Sequence, residues 1–277
     1  MRILVVNNLY PPVVRGGYEV ECAGVVDRLR AEGHDVLVLT SDERTAAGEV
    51  PPAEPGVRRE LPFLEYRRAD SLRAASHARR GAATMRATLG AFDPQLVYVW
   101  NGAQIPHSAL RVAALSGRPL AYRVCEHWFG RLYSGDRYMR HLDGGERGAR
   151  AIWGAAMRGA NRLPGLRVDL RTRERAAICW NSRAMRRMNP MPPQVEPVLE
   201  EVIFPATRQG ARLATIERRP EPGGPPVIAF VGRVEPQKGL DVAFRALAAL
   251  RDEHGIEARL RVAGAMAEGM ADASAIA

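Results

Sequence analysis

Residues 227–244 read VIAFVGRVEPQKGLDVAF, and this stretch decides the fold. VIAFV is a run of five apolar residues, the pattern of a strand covered on both faces. Gly232 ends the run, RVEPQKG forms a loop, and Leu240–Arg251 has the spacing of a helix. A second strand-like run, ARLRVAG, follows at 258–264. Strand, helix and strand in this order predict the opening of a doubly wound α/β domain, with a parallel sheet and a right-handed crossover.

The loop inside this unit is chemically unusual for the chain. Lysine and arginine together number 40, yet Lys238 is the single lysine. A loop leaving the carboxyl end of a parallel strand faces the ligand crevice in such folds. Arg233 can fork across phosphate oxygens, and Lys238 offers a point charge near a helix N-terminus, whose free N–H groups also favour anions. Spacing alone fits a diphosphate clamp and a solvated turn with two charges equally well.

Upstream, the same alternation recurs. RILVVN (2–7), DVLVLTSD (35–42), QLVYVWN (95–101), PLAYRV (119–124) and AAICWNS (176–182) read as strands. Helices are expected at Tyr18–Glu32, ended by Gly33, and at Ala69–Leu89, Pro106–Ser116 and RAMRRM (183–188). Two proline-rich stretches, Asn189–Pro197 and Arg218–Pro226, read as linkers. The expected organisation is a Rossmann-like first domain over 1–207, a linker over 208–226, and an incomplete second Rossmann-like domain over 227–277. About fifty residues are too few to complete a domain of that kind.

Composition narrows the function classes. Net charge is +9 and the sequence pI about 10.1, which favours anionic partners, although arginine-rich composition alone accounts for much of this. Cys22, Cys125 and Cys179 are odd in number and widely spaced, against a disulfide framework or zinc knuckle and in favour of a reducing compartment. The short apolar start MRILVVNN does not read as a signal peptide, and no apolar run is long enough for a membrane span. The expectation is a cytoplasmic protein, with peripheral attachment at the inner membrane face left open. Nucleic acid is not expected as a partner, since no recognition helix or aromatic platform is evident.

The second motif is NLYPPVVRGGYEVE (8–21), after the first strand. Gly16-Gly17 lets a ligand approach the backbone, and the helix starting near Tyr18 aims its N-terminus at the same crevice. A simple flexible turn is the alternative. The loop is not GxGxxG, which disfavours a dinucleotide cofactor, and the chain contains no phosphate-binding GxxxxGK[ST].

Taken together, Ile3-Leu4, Pro11-Pro12, Gly16-Gly17, Gly232-Arg233 and Lys238-Gly239 resemble the motifs of the family-4 glycosyltransferases of the GT-B fold. The resemblance implies retaining transfer of a sugar from a nucleotide-sugar donor to a glycan, lipid or small-molecule acceptor, in a cleft between two domains. It implies that Arg233, Lys238 and Gly239 bind the donor diphosphate and that Gly16 and Gly17 close over it. It implies no metal and no cofactor; the chain has no Asp-x-Asp, and fixed cations would do the neutralising.

Three departures accompany the resemblance. Where relatives carry His-Asp-x-Trp, this chain reads CEHW (125–128), placing Cys125 at the histidine position and leaving Glu126 and His127 as the catalytic candidates, or as merely structural neighbours of Trp128. VAGAM (262–266) begins like the family's AGxGP loop and then diverges. The paired glutamates Glu-x7-Glu are missing, with only Glu268 in the tail. The sequence therefore also admits an inactive, truncated sugar-nucleotide-binding or interaction protein. A basic region over Glu146–Arg175 reads as the solvated face of an arginine-rich helix and loop or as a contact for anionic lipid head groups. The aromatic-rich excursion Arg123–Leu142 reads as an acceptor-binding loop.

Overall fold

The computed structural model describes residues 1–64, 70–143, 148–163, 167–205, 215–217 and 224–264. The chain divides into two compact units, Met1–Leu213 and Ala214–Ala277.

The first unit is a seven-stranded sheet in the order β3-β2-β1-β4-β5-β6-β7, with every pairing parallel. Its strands are β1 (Arg2–Asn7), β2 (Asp35–Ser41), β3 (Val57–Leu61), β4 (Leu96–Asn101), β5 (Leu120–Val124), β6 (Glu174–Trp180) and β7 (Val195–Val202). The helices between them are α1 (Gly17–Ala31), α2 (Asp70–Phe92), α3 (His107–Ala114), α4 (Arg137–Asp143), α5 (Ala149–Ala160) and α6 (Arg183–Met188).

The apolar runs of β1 and β2 are continuous because both faces of the sheet are covered. Ile3, Val5, Val36 and Val38 pack with Cys22 and Val26 of α1 on one face. Their alternating neighbours Leu4, Val6, Leu37 and Leu39 pack with Met85 and Leu89 of α2 on the other. Side chains alternate faces along a strand, so a run buried at every position needs a helix layer on each side. Each such burial contributes roughly 1.5–3 kcal/mol.

Most elements begin and end within three residues of the sequence-based expectation. Three differ in kind: α4 falls in a segment expected as a loop, and the other two are sheet edges. Strand β3, VRREL, was not expected; only its Leu61 is fully buried, and Arg58 and Arg59 are half-buried. The Arg59 guanidinium donates to the carbonyls of Tyr10 and Pro11, tying β3 to the loop after β1.

The first proline-rich stretch is not a linker. It runs into β7, which pairs with β6 through Ala176–Pro197 and shifts register before Ala177–Leu199. Pro197 has no N–H to give a ladder, and an edge strand at a register shift is where that loss is tolerated. The second proline-rich stretch and the expected linker 208–226 fall mostly outside the described residues.

The second unit contains β8 (Val227–Val231), a 3-10 turn at Pro236–Lys238, α7 (Leu240–His254) and β9 (Arg259–Ala263). β8 and β9 pair in parallel from Val227–Arg259 to Val231–Ala263. Gly255, at φ 64°, closes α7 in a left-handed conformation, and Ile256 donates back to the Leu250 carbonyl. Beyond the strands the chains stay in contact. Gly232 donates to Ala263, and a Cβ built on Gly264 would lie 1.7 Å from the Gly232 carbonyl oxygen.

Candidate active site

Strand order reverses direction of progression between β1 and β4, so the crevice at their carboxyl ends is where a doubly wound sheet places its ligand. The loop from β1 into α1 forms one wall. It is fixed from below: Thr40 and Ser41 hydroxyls donate to the Asn8 carbonyl at 3.2 and 2.5 Å, and Leu9, Tyr10 and Val13 are buried.

Gly16 and Gly17 sit at the start of α1, as the sequence implies. Glu19, itself buried, turns back and accepts from the amides of Gly16 at 2.8 Å and Arg15 at 3.3 Å. A carboxylate at this position satisfies free N–H groups and the positive end of the helix dipole. The Gly16 amide is thus engaged within the protein, whereas open space surrounds Gly17 where a side chain would stand.

The loop leaving β5 is brought against this wall. The Cys125 amide donates to the Tyr18 hydroxyl at 2.7 Å, and Arg123 pairs with Glu21 at 2.7 Å while donating to the Ile203 carbonyl at 2.6 Å. α1 is therefore fastened to β5 through its first turns, across the intervening β4. Burial pushes the Cys125 thiol up to about 11, so the thiol at the histidine position of the motif is neutral. The Glu126 and His127 side chains are exposed, and Trp128 turns into the core against Tyr122 and Phe129. Gly102, at the end of β4, is required by that ring: an added Cβ would meet Trp128 at 2.6 Å.

The excursion Arg123–Leu142 is less exposed than its sequence suggests. Phe129, Leu132, Tyr133, Asp136, Tyr138 and Met139 are all buried. Tyr133 and Tyr122 donate to Glu174 at 2.5 and 2.6 Å, and Arg111 pairs with the same carboxylate at 2.7 Å. Arg111 also donates to the carbonyls of Asp169 and Thr172. His107 is clamped nearby, accepting at Nδ1 from the Tyr133 amide and donating through Nε2 to the Gly102 carbonyl; burial lowers its pKa. This segment is framework for the crevice, and its exposed groups nearest the carboxyl edge of the sheet are Glu126 and His127.

Sequence reasoning passed over Tyr18, Glu21 and Arg123, which position the two loops. It also passed over asparagines where strands leave the sheet: Asn7 and Asn101 end β1 and β4, and Asn181 follows β6. Asn101 accepts from the Ala103 amide, and the Asn181 amide donates to the Val124 carbonyl. The recurrence of Asn after apolar runs, in VVNN, VWN and CWNS, was the available signal.

In the second unit, Arg233, Lys238 and Gly239 lie on one connection between β8 and α7. Gly239, at φ 73°, is both the end of the 3-10 turn and the N-cap of α7. This backbone conformation favours glycine and sets Lys238 two residues before the first residue of a 15-residue helix. Lys238 is exposed, and Arg233 pairs with Glu235 at 2.9 Å. Gly16 and Gly17 belong to the first unit and these three residues to the second. Among the described residues no group of three or more His, Cys, Asp or Glu is placed to hold a metal ion. Ala265, Met266 and Glu268 lie outside the described residues.

Residues 212–274 match the family model described as "Glycosyl transferases group 1". Across the whole chain, the solved structure of a trehalose-6-phosphate synthase, OtsA, is similar at TM-score 0.51 and 14% identity, covering 100% of this chain and 67% of that one. The spinosyn rhamnosyltransferase SpnG complexed with thymidine diphosphate is more distant: TM-score 0.35 and 18% identity, over 95% of this chain and 65% of that one. The chain thus spans about two thirds of the length of these structures. Comparison with curated proteins gave no match. The likeness to OtsA is one of fold, a mostly parallel α/β architecture. The family match falls on the segment that carries Arg233, Lys238 and Gly239.

Proposed function

We propose that the chain belongs to a retaining, metal-independent transferase that moves a sugar from a nucleotide-sugar donor to a glycan, lipid-linked or small-molecule acceptor. The observation that carries this reading is the β8–α7 connection. A glycine-specific turn presents an exposed lysine, the only one in the chain, at the start of a long helix inside the segment matching glycosyl transferases group 1. A diphosphate there would meet Lys238, the Arg233 guanidinium and the helix dipole, fixed positive groups that can neutralise it as it departs. Gly16 and Gly17 of the first unit are assigned to the same donor, with open space at Gly17 admitting it. Among the exposed groups beyond β5, Glu126 and His127 are assigned to the reacting sugar or acceptor. The reading places the protein in the cytoplasm, at the inner membrane face when its acceptor is lipid-linked.

A second reading is sugar-nucleotide binding without turnover. It is favoured by one observation: the residue at the motif's histidine position is a half-buried, neutral thiol whose amide is already committed to Tyr18. Both readings are tested by titrating the protein with UDP-, GDP- and TDP-sugars in EDTA, then assaying release of the nucleoside diphosphate with and without candidate acceptors. Binding with release supports transfer. Binding without release supports the second reading, and release strictly dependent on Mn²⁺ removes metal independence. No binding to any donor overturns both.

A further inference from the structure

Helix α5 is turned the unusual way round. Gly154 is its buried residue and Met157 packs on the core, while Ile152, Trp153, Ala155 and Ala156 face outward. Ile152 is 75% exposed and Trp153 52%, and the turn after the helix adds Leu163 at 56%. An ordinary surface helix hides such residues and shows its charges. The sequence around the helix is rich in arginine, bounded by Glu146 and Asp169. From Arg147 to Val168 the sequence holds five arginines, at 147, 150, 158, 162 and 167, and no aspartate or glutamate. Of these, Arg158, Arg162 and Arg167 are exposed in the structure, with Arg158 also donating to the His141 carbonyl.

We infer that the outward face of α5 is the surface through which the protein seats on an anionic lipid bilayer. Ile152, Trp153 and Leu163 enter the interfacial layer, and Arg158, Arg162 and Arg167 engage lipid phosphates. The inference rests on the proposed reading only in giving a membrane-presented acceptor a place to be met. Charge complementarity selects the occupant. A second copy would bring arginine against arginine, whereas an anionic leaflet supplies negative charge along the whole edge of the patch. Tryptophan with arginine beside it is the composition of a helix that lies in the interface plane, its aromatic ring at headgroup depth and its guanidinium groups reaching outward. No helix among the described residues is long and apolar enough to cross a membrane, so the contact is a surface one. The apolar area is small, so binding depends on the anionic lipid rather than on insertion alone.

The chain carries its own reporter. Of its four tryptophans, Trp100, Trp128 and Trp180 are buried and Trp153 is exposed. Vesicles of phosphatidylcholine with about one third phosphatidylglycerol should blue-shift the emission, protect it from acrylamide and carry the protein down on sedimentation. Pure phosphatidylcholine should do none of these, and added salt should reverse the effect. Ile152→Asp and Arg162→Glu should each lower binding, together by about tenfold or more. Trp153→Phe should still sediment but lose the spectral response. Both substituted side chains are exposed, so unchanged thermal melts confirm that the variants fold.

Absence of sedimentation with the anionic vesicles overturns the proposal, as does binding indifferent to Ile152→Asp. A vesicle-free dimer that Ile152→Asp dissociates also overturns it, by giving the face to a second copy. None of these measurements uses a sugar nucleotide, so their failure leaves the transfer reading standing, and failure of donor binding leaves this one standing.

Discussion

Lys238 is the residue on which the donor assignment turns. Replacing it with alanine removes one charged partner of the diphosphate, an interaction worth about 1.5–3 kcal/mol. Lys238→Ala should therefore weaken nucleotide-sugar binding by about tenfold or more, with the thermal melt unchanged because the side chain is exposed. Calorimetric titration checks this, and unaltered affinity would remove the diphosphate role. Cys125 gives a second expectation at this scale. Burial disfavours its thiolate and pushes its pKa to about 11, and burial also raises Cys22 and Cys179. At pH 7–8 all three are neutral thiols. Iodoacetamide should alkylate the folded protein far more slowly than a free cysteine, with the Cys125 rate climbing as pH approaches 11. Rapid alkylation at neutral pH would show an activated thiol and reopen the chemistry assigned to that position.

Among the elements, those wrapped on both faces were the ones legible beforehand. β1, β2, β4, β5 and β6 stand in the sequence as apolar runs because the sheet buries them, and α1 is bracketed by a glycine pair and Gly33. β3 and β7 were not legible for a common reason. An edge strand is half-solvated, so charge in VRREL and proline in VEPVLEEV carry little penalty there, and the apolar signature disappears. The candidate site followed the same rule. Loops at strand ends could be placed from the alternation of elements, but Glu21 meets Arg123 and Tyr18 meets Cys125 only through the fold, 102 and 107 residues apart in sequence. α3 supplies an element-scale prediction through His107. Its folded pKa is lowered by burial from the ordinary 6.5, so below pH 6.5 the unfolded chain binds a proton that the folded one resists. Stability from this group is full above pH 6.5 and declines as pH falls toward the folded pKa. Denaturant midpoints between pH 7.5 and 5 should fall in the native protein and fall less in His107→Gln. Equal slopes would show that another group governs the decline.

For the molecule as a whole, the first unit is joined at Glu174. One carboxylate at the start of β6 holds Arg111 of α3, Tyr122 of β5 and Tyr133 of the connecting segment, all withdrawn from water. Removing the acid leaves a buried guanidinium and two hydroxyls without their acceptor, a loss of about 3–5 kcal/mol. Glu174→Ala should lower the unfolding midpoint of the first unit sharply. Glu174→Gln, which keeps the shape and loses the charge, should lie between it and the native protein. A melt unaffected by Glu174→Ala would show that the network adds nothing to stability.

The contact between Gly232 and Gly264 bears on how this protein can vary. Every amino acid other than glycine carries a Cβ, and at position 264 that atom would fall 1.7 Å from a neighbouring backbone oxygen, far inside van der Waals contact. No rotamer change relieves such an overlap, because the obstacle is main chain. Every missense change at that codon therefore forces two loop backbones apart at the point where one leads directly into Arg233. At this position inheritance has a vocabulary of one.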